Sequence, residues 1–83
     1  MGTKLEPGKF DCYQNALPDE PMFVLLARDL SAPFLVHDWA MRRLEGIRRG
    51  ERPESDMALI YEAVDCTKNM IEWRSANEGK WRK

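Results

Sequence analysis

The sequence predicts an all-α protein: an extended N-terminal arm, one short helix and a hairpin of two long helices, expected to oligomerise. Three observations carry this. Apolar residues recur at helical spacing through residues 35–47 and again through 57–73. Helix-starting and helix-stopping residues bracket both stretches. Gly2, Pro7, Gly8, Asn15, Pro18 and Asp19 break regular structure repeatedly before them. With 83 residues the chain is one domain at most. Residues 1–17 are the expected arm and 18–83 the helical domain, with no internal repeat or low-complexity tract.

Within the arm, Phe10, Cys12 and Tyr13 are apolar enough to lie on the body of the protein. The next segment, "PDEPMFVLLARD", has the chemistry of a helix start. Asp19 can cap, Glu20 suits the positive helix end, and Pro21 fits a first turn where no N–H is needed. Met22, Leu25 and Leu26 then follow at i, i+3 and i+4. A six-residue apolar run is equally the length of a buried strand. The proline before it and Leu-Leu-Ala-Arg at its end favour a short helix, lying across the hairpin. Arg28 and Asp29 fall at the turn after it, as a salt bridge, a cap or a functional pair.

The first long helix starts with Ser31 as N-cap and Pro33 in its first turn. It stops at Gly50, with Arg48 and Arg49 just before. Val36, Trp39, Ala40, Arg43, Leu44 and Ile47 fall on or beside one face, widened by Leu35. After a turn at "GERPES", Ser55 stands ahead of a second long helix, with Glu54 and Asp56 near its positive end. Met57, Ile60, Ala63, Val64, Thr67, Met70 and Ile71 form one stripe along it, and Leu59, Cys66 and Trp73 a second. Gly79 is its expected stop. An apolar surface this wide needs covering on two sides, by the short helix and by another subunit.

Formal charge is −1 overall but banded. Residues 1–40 carry −3, residues 41–52 carry +3, residues 53–67 carry −4 and residues 68–83 carry +3. Such bands suit antiparallel helices facing each other, or an anionic ligand at the basic bands. Two cysteines are too few for a disulfide scaffold. The opening "MGTKLEPGKF" lacks a signal-peptide core, and no run is long and apolar enough to span a membrane. The expected location is the cytoplasm.

Cys12, Cys66 and His37 show no metal-ligand spacing, so no metal or cofactor is expected. His37 and Asp38 are adjacent and point about 100° apart on a helix, which prevents a clean catalytic pair. No phosphate loop or paired-carboxylate motif is present, and the protein is expected not to be an enzyme. The arginines at 42, 43, 48, 49 and 52, and Lys80, Arg82 and Lys83 around Trp81, could meet nucleic acid. The slightly negative total disfavours duplex binding. A smaller anion needs fewer groups: Arg28, Arg43 and Arg74 for phosphate, with Trp39, Trp73 or Tyr13 as stacking platforms. The ordinary alternative is that the tryptophans are core and the arginines snorkel from it.

Three segments, "CYQNALPDEPMFVLLARD", "APFLVHDWAMRR" and "SDMALIYEAVDCTKNMIEWR", resemble a family of short proteins encoded by tailed bacteriophages and prophages. In that family a Glu-Pro-x-Phe-x-Leu-x-x-x-Asp opening precedes Ala-Pro, a Trp-containing helix and a final helix ending near Met-x-x-Trp. The likeness covers residues 10–75 and is structural in character. It implies an accessory protein in a host cytoplasm that binds a host protein or signal. One form of this is an antagonist of host defence that sequesters a nucleotide-like messenger. Three functional expectations follow: capture of an anionic nucleotide-like ligand, docking on a host or virion protein, or association with DNA.

Overall fold

The computed structural model describes residues 1–80, and its regular structure is entirely helical, with no strand among them. Helix α1 spans Cys12–Asn15, α2 Ala32–Arg48 and α3 Met57–Ala76, and a 3-10 turn at Glu54–Asp56 leads into α3. Helices α2 and α3 form the expected antiparallel hairpin.

Local chemistry explains its ends. Ser31 is the N-cap residue of α2, but its side chain makes no capping bond. That work falls to Asp29, whose carboxylate accepts the Ser31 N–H at 2.9 Å and whose carbonyl accepts the Ala32 N–H at 3.1 Å. At the other end Gly50 has φ +74°, a left-handed conformation that costs glycine nothing. The Gly50 N–H bonds the Ile47 carbonyl at 3.0 Å and the Glu51 N–H reaches back to the Gly46 carbonyl at 2.9 Å. These two bonds are the Schellman arrangement, which satisfies carbonyls left over at a helix end. Gly79, at φ +82°, lies three residues beyond the end of α3.

The hairpin closes on a core of small residues. Ala40 of α2 and Ala63 of α3 are fully buried and Ile60 is 3% exposed. Val36, Trp39, Leu44, Ile47, Met57 and Met1 pack around them. Met1 brings the N-terminal segment onto α3: its amine pairs with Glu62 Oε1 at 2.5 Å. Gly8 lies against the same carboxylate, so close that a Cβ there would stand 2.6 Å from Oε1. One flank of α3 is thus covered by the N-terminal residues.

The expected short helix over residues 18–28 is not formed. Residues 21–26 are irregular and the short helix is α1, upstream, capped by the Asp11 carboxylate on the Tyr13 N–H at 2.9 Å. The reason lies in where Glu20 is used. Its N–H bonds the Leu17 carbonyl at 3.1 Å and its carboxylate accepts the Leu17 N–H at 3.0 Å, closing a turn around Pro18. Pro21 also disfavours helical geometry at Glu20. A helix this short needs a packed face to persist. Here Phe23 is 83% exposed and Val24 and Leu26 are exposed too.

Candidate functional site

The six residues expected to hold a ligand are dispersed. Trp39 and Arg43, one turn apart on α2, meet as expected: the guanidinium stacks 4.7 Å from the indole ring centre. Arg43 also donates to Asp56 Oδ2 at 3.2 Å, with Arg52 at 4.0 Å from the same oxygen. This cluster ties α2 to the start of α3 at the turn end of the hairpin. The basic band and the acidic band neutralise each other here.

Arg74 is at the open end, where it donates to the backbone carbonyl of Arg28. The turn holding Arg28 and Asp29 is thereby fastened to the last turn of α3. Asp56 and Arg74 lie eighteen positions apart, roughly 27 Å of helix. That span is longer than a nucleotide, so Arg43 and Arg74 border different places. Trp73 is next to Arg74 and partly exposed, and Tyr13, 71% exposed on α1, stands outside both groups. The basic cluster expected around Trp81, with Arg82 and Lys83, lies outside the described residues. Lys80 is exposed.

Other arginines on α2 are engaged within the helix: Arg42 with Asp38 at 2.8 Å, and Arg48 and Arg49 with Glu45 at 3.8 and 3.2 Å. Asp38 therefore serves Arg42 rather than His37. No group of three His, Cys, Asp or Glu among the described residues could hold a metal ion, and none of their helices is long and apolar enough to cross a membrane. Cys12 is exposed and Cys66 half-buried, both as free thiols. Burial pushes the Cys66 thiol above its ordinary 9.0; the Met1 amine opposes this, while Glu62 and Asp65 add to it.

The feature that stands out lies between the two long helices. An open groove runs between α2 and α3, lined by Met41, Leu44, Met57, Ile60, Tyr61 and Val64, with Glu62 and Asp65 among its walls. Among the described residues its lining includes no arginine, lysine or histidine. Tyr61 is 67% exposed and Val64 40%. Seven residues beyond Val64, Ile71 continues the line at 55% exposed. Seven before Met41, Phe34 does so on α2 at 73%. Met57, Val64 and Ile71 belonged to the stripe read from the sequence. What spacing did not reveal is that this edge of the stripe stays bare.

No family model matches the chain, and neither a curated protein nor a solved structure matches it. The geometry defines a helical hairpin with one flank occupied by its own N-terminal segment and the other open and apolar.

Proposed function

We propose that the protein acts by binding another polypeptide through the open groove of its hairpin, as a non-enzymatic docking module. One observation carries this reading: an apolar, exposed face lies between two long helices, with no cation lining it among the described residues. Contiguous apolar surface of this kind marks interaction sites on soluble proteins. Tyr61 and Met41 are residue types enriched at interface centres, where a few side chains carry most of the affinity. The phage-type resemblance supplies a setting, docking on a host or virion protein.

A photoreactive residue in place of Tyr61 tests this in cells. The expected result is a polypeptide adduct that disappears when Val64→Glu is added, with no such dependence when the label replaces Tyr13. No polypeptide adduct at position 61, or one indifferent to Val64→Glu, ends the reading.

A second reading, capture of an anionic nucleotide-like ligand, is favoured by the Arg43 guanidinium stacked on Trp39. Asp56 already neutralises that guanidinium, so a phosphate would have to displace it. Thermal unfolding with cyclic and linear nucleotides in excess separates the two readings. A ligand that binds only the folded state raises the midpoint. The docking reading expects no rise, and a rise abolished by Arg43→Gln restores capture.

A further inference from the structure

Residues 20–26 run without a turn or a bend. None of the backbone N–H or C=O groups of Met22, Phe23, Val24 and Leu25 is hydrogen-bonded within the described residues. Every side chain from Met22 to Leu26 is apolar, and Phe23, at 83%, is the most exposed of the described aromatic residues. We infer that this run is an endoproteolytic cleavage site, cut at the Phe23–Val24 bond by an endopeptidase with an apolar primary pocket. The segment lies outside the groove, and the assignment does not depend on the docking reading. Hydrolysis adds water across the bond: the hydroxyl goes to the Phe23 carbonyl carbon and a proton to the Val24 nitrogen.

Two requirements single out this bond. The first is backbone geometry. A protease cleft takes its substrate as an added extended strand, with main-chain hydrogen bonds along it and side chains in pockets. A segment already straight and unpaired meets that need as it stands, whereas a bond inside a helix must wait for local opening. The second is the side chain. Every other described aromatic residue lies in a helix or, for Phe10, in a turn, so Phe23 alone among them sits on straight chain. The flanks confine the cut. Pro21 and the turn between Leu17 and Glu20 bound the run upstream, and the Asp29 N–H on the Leu26 carbonyl at 2.9 Å bounds it downstream. Beyond that turn the Arg74 guanidinium holds the Arg28 carbonyl, so residues 24–83 keep the whole hairpin and its fastening. Residues 1–23 are then left on α3 by contacts such as the Met1–Glu62 pair rather than by the chain.

Brief digestion of the purified full chain with chymotrypsin, followed by mass spectrometry, tests the assignment. The expected first products are residues 1–23 and 24–83, formed before any cut inside α2 or α3. Val24→Pro removes the N–H next to the bond and fixes the backbone there, and should slow that cut at least about tenfold. Phe23→Asp denies the pocket its apolar side chain and should slow it as well. Both side chains are exposed and the Val24 N–H has no partner to lose. Helicity by circular dichroism should therefore stay at the wild-type value in both variants, which separates slower cutting from a change of fold. A first cut elsewhere, a bond at Phe23 cut no faster than those in the helices, or a first cut untouched by both variants overturns the inference.

Discussion

The two flanks of α3 present the same kind of side chain and meet different fates. On one, Leu59 and Cys66 are half-buried, and Glu62 anchors the N-terminal amine beside Gly8. On the other, Tyr61, Val64 and Ile71 are exposed. The sequence dedicates thirty residues to the N-terminal side of the hairpin, yet they leave the groove uncovered. Apolar surface is therefore not being minimised evenly. One side is closed by a salt bridge to the N-terminal amine, and the other stays exposed.

Substitutions can break this contrast, beginning with the residue both flanks share. Ile60→Ala removes the largest of the buried core side chains and should cost about 2–5 kcal/mol in urea unfolding, enough to unfold much of so small a domain. Gly50→Ala puts a Cβ into the left-handed turn and should cost about 1–2 kcal/mol, without altering either flank. Glu62→Gln acts on the pair that holds the N-terminal segment. It weakens a pair whose members are about one-fifth exposed, at a cost of about 1 kcal/mol. It should also speed alkylation of Cys66 by loosening the segment near it, which titration with a thiol reagent reads directly. Val64→Glu on the bare flank should change monomer stability by less than about 0.5 kcal/mol, although it should abolish docking of a partner polypeptide. A large loss of monomer stability would show that the groove is structural after all.

The covered flank also has a pH signature. Burial keeps Cys66 protonated in the folded state beyond the pH at which an ordinary thiol ionises. The folded form then holds more protons than the unfolded form over that interval, so stability falls as pH rises there. The contribution is complete below the ordinary value of 9.0 and disappears as pH climbs above it. Urea midpoints of the wild type should therefore drop more than those of Cys66→Ala between pH 8 and pH 10. Equal drops would place the thiol in free contact with water.

Much of the hairpin was legible because its signals are local. Gly50 needs no distant partner to end α2, and Ser31 with Pro33 marks the start within one turn. The segment after Pro18 was misread for the opposite reason: Asp, Glu and Pro in that order serve a helix start and a tight turn equally well. Only the bonds from Glu20 to Leu17 decide between them. The site divides in the same way. Trp39 and Arg43 were readable as neighbours from their spacing. That Arg74 lies a whole helix away from Arg43, fastened to Arg28, follows from antiparallel packing that spacing on single helices does not express. Asp56 as the anchor of Arg43 was signalled only by acids following a basic stretch.

The two salt bridges that fasten α3 differ greatly in loop size. Arg43 and Asp56 are thirteen residues apart, whereas the Met1 amine and Glu62 are separated by sixty-one. Closing the shorter loop costs less entropy, so the hairpin should form early in folding and the N-terminal segment dock afterwards. During synthesis that order becomes a delay, because residues 1–30 emerge first while their platform on α3 is among the last parts made. Until then the exposed run from Met22 to Leu26 waits without a docked neighbour. Refolding followed in time should show the hairpin's helicity before Cys66 becomes protected from alkylation.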